Sequence, residues 1–217
     1  LGTEARRELA RDIHSLFETR GVPGTHDVEL GIAVIDAIRT GETVALPRFD
    51  KASDEPVAPK LWPLVDGKID ILLFEGWCVA ANPVDSAELN APVNALEREE
   101  DPEARWRHAV NDFLSGPYQA LFQRIDRLIL LAAPCFDVVH GWRVEQERDL
   151  ARRLADEGRD PTLVMSDTEI ARFISHYERI TCSILKSMPS RADLVINLDE
   201  ERCIKERPGI RLPSSKT

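Results

Sequence analysis

Ile69-Asp70-Ile71-Leu72-Leu73-Phe74-Glu75-Gly76-Trp77-Cys78-Val79-Ala80 is the stretch on which the fold reading turns. Its first half is a run of apolar, β-favouring residues, the pattern of a strand covered on both faces in a parallel sheet. The run stops at an acidic residue followed by glycine. In open α/β sheets, ligands bind beyond the carboxyl ends of the strands. Glu75 therefore stands where chemistry is expected, and Gly76 allows a sharp turn or close approach to a ligand. The plainer alternative is a core strand that ends in a solvated carboxylate.

Working outward, residues 128–132 and 193–198 repeat the strand pattern, and helical patterns lie between the strands. Residues 3–19 carry Leu9, Ile13, Leu16 and Phe17 on one side. Asp27 is placed to cap a helix through about residue 39, which Gly41 ends. Val44-Ala45-Leu46 reads as a short strand, and 47–68 and 82–101 read as irregular loops. Asp101-Pro102 resembles a cap and first helical position, ahead of Trp106, Val110, Phe113 and Leu114. Gly116-Pro117 interrupts that helix. A helix is expected over 138–157 and broken at Gly158-Arg159-Asp160-Pro161. Another, capped by Asp167, is expected to run to about residue 188. Strands alternating with helices indicate an α/β fold with a largely parallel sheet. The chain divides into a domain over 1–199 and a polar, loosely ordered tail over 200–217.

The 217 residues suit one domain. A net charge of −10 argues against a general nucleic-acid or membrane-surface binder, while leaving room for a local basic pocket. No apolar run is long enough to cross a bilayer. Cys78, Cys135, Cys182 and Cys203 are far apart and form no CxxC. They read as reduced thiols of a cytoplasmic protein, not as a zinc site or a disulfide framework.

Four further motifs carry chemistry-bearing residues. Gly21-Val22-Pro23-Gly24-Thr25-His26-Asp27 sets an imidazole and a carboxylate at a helix start, where backbone amides attract anions; Asp27 acting only as a cap is the alternative. Leu46-Pro47-Arg48-Phe49-Asp50-Lys51 places a guanidinium fork and an ammonium in a loop, suited to a carboxylate or phosphate. A solvated charged loop is the competing reading. Trp142-Arg143-Val144-Glu145-Gln146-Glu147-Arg148, with Arg152 and Arg153 beyond, can reach phosphates if this helix closes over a nucleotide. Otherwise Arg143 and Glu147 form an i,i+4 surface pair worth only about 0.3–0.5 kcal/mol. In His176-Tyr177-Glu178-Arg179 the histidine reads as structural, with Tyr177 and Ile180 facing the core.

Together and in this order, these segments resemble the plant-type D-glycerate 3-kinases and their bacterial relatives, P-loop kinases near the uridine kinase, pantothenate kinase and phosphoribulokinase group. The resemblance spans the chain to about residue 199. It implies a three-layer P-loop kinase fold and transfer of the γ-phosphoryl of ATP to a hydroxyl of D-glycerate or a similar hydroxy acid, with Mg²⁺. By the same resemblance, His26, Asp27, Arg48, Asp50 and Lys51 lie on the substrate side, and Asp54 is a lesser candidate there. Glu75 is the Walker-B-like residue that holds Mg²⁺ through water or orients the nucleophile. Gly76 and Arg148 lie by the nucleotide, and Arg143 is the lid residue stabilising transferred charge.

One departure is large. Such kinases carry G-x-x-x-x-G-K-[ST], whose amides and lysine cradle the ATP phosphates. Here Gly67-Lys68 is followed by Ile69 and lacks the upstream glycine. The expectation is a sequence that starts downstream of the first strand, its P-loop and an acidic segment, and that is inactive as it stands. In the family the P-loop strand lies between the Glu75 strand and the 128–132 strand. Without it two inner edges lose their partner, so a gap, a rearranged sheet or marginal stability is expected. A kinase for a nucleoside or pantothenate, or a non-catalytic binding relative without a P-loop, are the alternatives.

Overall fold

Asp27 accepts the Leu30 N–H at 2.9 Å and Gly41, at φ 74°, stops the same helix, so α2 spans Val28–Thr40 as its sequence signals require. The structure, a computed structural model, describes residues 1–51, 53–158 and 164–205. Contacts divide the chain into two compact units, one of residues 1–92 and 100–126, the other of 93–99 and 127 onward.

In the first unit, α1 covers Thr3–Asp12 and ends short of the helix expected through residue 19. His14 Nδ1 accepts the Leu16 N–H (3.3 Å) and starts a 3-10 turn, Ser15–Glu18, which buries Leu16 and Phe17. After α2, β1 (Val44–Ala45) pairs antiparallel with β4 (Leu64–Val65). Between them β2 (Phe49–Asp50) and β3 (Glu55–Pro56) form an antiparallel hairpin. The segment expected to be irregular is thus two nested strand pairs. Residues 82–101 are not wholly loop either, because they contain α3, Ala95–Glu100, all but the last residue of which belongs to the second unit.

Asp101 caps from a distance: its carboxylate accepts the Trp106 and Arg107 N–H groups (2.9 and 3.2 Å), across the left-handed Ala104, and α4 runs Arg105–Phe113. The buried Arg107 returns Nη1 to the Asp101 carbonyl (2.9 Å) and Nε to the Leu89 carbonyl (2.6 Å). Buried charge is tolerated only with such full pairing. Gly116-Pro117 does interrupt the helix, through a π-turn over Leu114–Tyr118, and α5 resumes at Gln119–Phe122.

Residues 69–74 overturn the opening expectation. They form no strand, and Ile71 and Leu73 are 78% and 86% exposed. An apolar run becomes a buried strand only where neighbouring strands take its N–H and C=O groups. Among the described residues none pairs with this segment. A gapped sheet of three parallel strands therefore does not form among them.

In the second unit β5 (Ile129–Ala132) and β6 (Leu194–Asn197) pair in parallel, Ile129 opposite Leu194 through Ala132 opposite Asn197. The helix α6, Asp137–Asp156, follows β5. The helix expected to run unbroken from Asp167 divides into α7 (Asp167–Ser175) and α8 (Glu178–Ser187). Its cap is Ser166, in a reciprocal box with Glu169, and not Asp167. Val144, Ile170 and Ile174 form a core with Phe136, Val139, Met165 and Phe173. Strand β5 is covered on one side only: Leu130 and Ala132 are buried, while Ile129 and Leu131 are exposed. Of the expected break after α6, residues 159–161 lie outside the described residues, as do residues 206–217 of the expected tail. Parallel β5–β6 pairing with flanking helices bears out the α/β class.

Candidate active site

The 21–27 loop is tied to itself and to its surroundings. Thr25 Oγ1 accepts the Gly21 N–H and donates to the Val22 carbonyl, both at 2.8 Å. Trp77 Nε1 donates to the Gly21 carbonyl (2.7 Å), and the Leu1 α-amino group donates to the Thr25 carbonyl (2.8 Å). The Gly24 N–H donates to Tyr118 Oη (3.0 Å), and the same oxygen lies 2.6 Å from His26 Nδ1. Gly24 has φ 103°, and a Cβ there would stand 2.6 Å from the Phe113 ring, so glycine answers both backbone and space. Val22, Pro23 and Thr25 are buried, whereas His26 and Asp27 are exposed. The result is a fixed backbone presenting two polar side chains. Asp27 spends Oδ1 on the helix cap, and its other oxygen has no partner among the described residues.

The β2–β3 hairpin is fastened to the segment leading into this loop. Asp54, left-handed at φ 58°, receives both Arg6 and Arg20. Arg6, 2% exposed, also donates to the Glu18 carbonyl (3.0 Å) and the Leu1 carbonyl (2.8 Å). Thr3 Oγ1 donates to the Asp54 carbonyl at 3.2 Å, and the Arg20 guanidinium lies 5.9 Å from the Phe49 ring. Asp54 is thus committed to holding the hairpin. Arg48 and Lys51 are exposed, with no side-chain partner among the described residues, and Asp50 accepts from Ser53 Oγ (2.7 Å).

Glu75 and Gly76 are exposed, and the Glu75 carboxylate likewise has no partner among the described residues. Next to them, Trp77 reaches the loop, and Cys78 is buried with its thiol pushed up to about 12 by loss of solvent. The first unit therefore assembles three of the five motifs: the 21–27 loop, the hairpin and the Glu75 segment.

The other two motifs lie in the second unit. Arg143 pairs with the buried Glu147, donates to Gln146 Oε1 (3.2 Å) and stacks 5.3 Å above the Phe173 ring. Glu147 in turn accepts the Met165 N–H at 3.2 Å, so Arg143 helps brace α6 against α7. Arg148 is exposed and without a partner among the described residues, while Arg152 pairs with Asp149 (3.3 Å). His176 is buried, its Nδ1 donating to the Arg172 carbonyl (3.0 Å). Arg179 Nε holds Glu97 Oε1 (2.8 Å), and Asn94 Nδ2 donates to Glu178 Oε2 (3.0 Å). That motif fastens α3 to α8 and is structural.

Sequence reading gave Thr25 and Trp77 no role of their own and placed Tyr118 only on the apolar face after Gly116-Pro117, although all three shape the loop. The available signal was an aromatic with a polar tip after a glycine, at Gly76-Trp77 and at Gly116-Pro117-Tyr118.

The chain is 32% identical to the uncharacterized kinase mug58 of Schizosaccharomyces pombe, over 78% of this chain and 61% of that protein. It is 28% identical to the chloroplastic D-glycerate 3-kinase of Arabidopsis thaliana, over 93% of this chain and 44% of that protein. The chain is thus similar in sequence to kinases that include a D-glycerate 3-kinase. It spans less than two thirds of the length of either of these relatives. No family model matches it. Among solved structures, the D-glycerate 3-kinase of Cryptococcus neoformans var. grubii superposes with a TM-score of 0.75 at 22% identity, covering 96% of this chain and 76% of that one. The chain therefore shares the fold of that kinase over most of its length. Among its described residues no helix is long and apolar enough to cross a membrane, and no cluster of three or more His, Cys, Asp or Glu is able to hold a metal.

Proposed function

We propose that this chain carries the acceptor-substrate side of an ATP-dependent small-molecule kinase, whose substrate is D-glycerate or a similar hydroxy acid. The observation that supports the reading is that the fixed 21–27 loop exposes His26 and Asp27, while the hairpin that exposes Arg48 and Lys51 is fastened through Asp54 to Arg20, just ahead of that loop. A hydroxy acid needs a cation for its carboxylate and a donor and acceptor for its hydroxyls. Arg48 and Lys51 supply the first, His26 and Asp27 the second, and Asp50 borders them.

The phosphoryl-donor side is thinner. No G-x-x-x-x-G-K-[ST] occurs in the sequence, so these residues do not form a phosphate cradle and no transfer step is derived through ATP. One exposed carboxylate, Glu75, fits a water-mediated contact to Mg²⁺, which usually keeps several waters and takes one or two protein carboxylates. Gly76 beside it, and Arg148 on α6, are assigned to the nucleotide, and Arg143 is assigned to the lid, stabilising transferred charge. The chain alone is expected to bind the acceptor without turning over ATP.

Calorimetric titration tests this with D-glycerate, a nucleoside and pantothenate. D-glycerate is expected to bind, and Arg48→Ala to weaken it about 10- to 150-fold, the range for one hydrogen bond to a charged group. Preference for the nucleoside or pantothenate, or indifference to Arg48→Ala, defeats the substrate assignment. The missing lysine motif favours a second reading, a non-catalytic binding relative. Phosphorylation of D-glycerate by the natural full-length protein would eliminate it.

A further inference from the structure

Tyr118 sits behind the 21–27 loop and is 3% exposed. Its hydroxyl oxygen accepts the Gly24 N–H at 3.0 Å. Its hydroxyl proton needs an acceptor, because a buried O–H without one loses its hydration for nothing. The only acceptor within reach among the described residues is His26 Nδ1, 2.6 Å away, with the two rings edge-to-face at 5.8 Å. Nδ1 therefore accepts, which requires the neutral imidazole with its proton on Nε2. Nε2 has no partner among the described residues, and His26 keeps an exposed surface.

We propose that Tyr118 is a positioning residue that fixes His26 as a neutral Nε2–H hydrogen-bond donor on the 21–27 loop. A nitrogen that already holds its proton cannot take one from a hydroxyl. His26 is then a donor toward an oxygen of the ligand, and Asp27, with one carboxylate oxygen uncommitted, is the acceptor beside it. That the ligand is the hydroxy acid rests on the function proposed above; the His26 tautomer does not.

The surrounding charges agree with this. Although part of His26 reaches solvent, desolvation of its inner edge, and then the Leu1 α-amino group, lower its pKa to about 4. Burial pushes the Tyr118 hydroxyl upward, so it keeps its proton. Around the Leu1 amine stand Arg6, Asp27 on the same loop, and Asp54 and Glu55 of the hairpin, and the neutral Cys78 thiol is next to Tyr118.

Long-range proton–nitrogen NMR of the imidazole reads the tautomer directly in the wild-type chain and needs no variant. The expected spectrum at pH 7 shows His26 Nδ1 as the unprotonated nitrogen and Nε2 as the protonated one. Tyr118→Phe is expected to mix the two tautomers, because Nδ1 then has no hydroxyl to accept from. An Nδ1–H tautomer in the wild type overturns the proposal. So does a folded Tyr118→Phe chain with the tautomer unchanged. Adding D-glycerate separates the two readings: a wild-type tautomer as expected with no shift of Nε2 leaves Tyr118 its role and removes the substrate. Where D-glycerate does bind, Tyr118→Phe should weaken it about 2- to 10-fold, the worth of one neutral hydrogen bond.

Discussion

Residues 21–27 and 69–74 make an instructive pair. The loop is glycine- and proline-rich and polar at its end, yet Val22, Pro23 and Thr25 are buried and its polar groups meet partners from the chain start, from Trp77 and from Tyr118. The apolar run is the most strand-like stretch of the sequence, yet it forms no strand and exposes Ile71 and Leu73. Burial is a property of what surrounds a segment. Composition states what a segment would gain from partners, not whether they are present.

Gly24→Ala offers the strongest way to break the comparison. At φ 103° the new Cβ is strained, and it would meet the Phe113 ring at 2.6 Å and the Phe17 ring at 3.1 Å. Phe17 is fully buried and cannot swing away. Backbone strain of about 1–3 kcal/mol adds to overpacking of about 1–3 kcal/mol. Urea denaturation should show a loss of about 3 kcal/mol or more if the loop is as fixed as its contacts indicate. A loss below about 1 kcal/mol would mean that the loop yields easily.

An intermediate effect comes from pH. His26 has its folded pKa lowered to about 4, against about 6.5 unfolded. Between these values the unfolded chain binds more protons, so stability rises with pH across that window. It is fully present above about 6.5 and lost as pH falls toward 4. The melting temperature of the wild type should therefore fall on acidification from pH 6.5 to 4 more steeply than that of His26→Gln. Equal slopes would show that the loop does not desolvate the imidazole. Asp36 and Asp193, held low by Arg124 and by the Leu128 N–H respectively, lose their contributions at more acidic pH, while Glu169, held low by its hydrogen bonds from Ser166, begins to lose its own at the acid end of the window in both chains, so the difference between wild type and His26→Gln is the readout.

Local signals in the sequence were legible where both partners are close in the chain. Asp27 and Gly41 bound α2 as expected, and Gly116-Pro117 broke its helix, because caps and breakers act within a turn. Strands β5 and β6 were legible as strands, since each is a short apolar run between breaks, but the exposure of Ile129 and Leu131 was not. The candidate site divides the same way. His26, Asp27, Arg48 and Lys51 were visible as polar residues near a helix start or in a loop. The residues that fix them were not: Trp77 reaches Gly21 across 56 positions and Tyr118 reaches Gly24 across 94. Asp54 resembled a ligand-binding carboxylate, and only the fold reveals its two arginines.

Leu73→Ser should have the smallest effect, and it tests the other half of the comparison. In a strand covered on both faces, replacing leucine by serine would remove well-packed apolar area and cost about 2–5 kcal/mol, as large-to-small core changes do. Leu73 is instead 86% exposed, with no strand beside it among the described residues. Little apolar area is then removed from water on folding, and the change should lie within about 0.5 kcal/mol of neutral by urea denaturation of this chain. A cost of several kcal/mol would show that 69–74 is covered in solution. The contrast with the 21–27 loop would then lie only in which partners each segment finds, and not in whether it finds any.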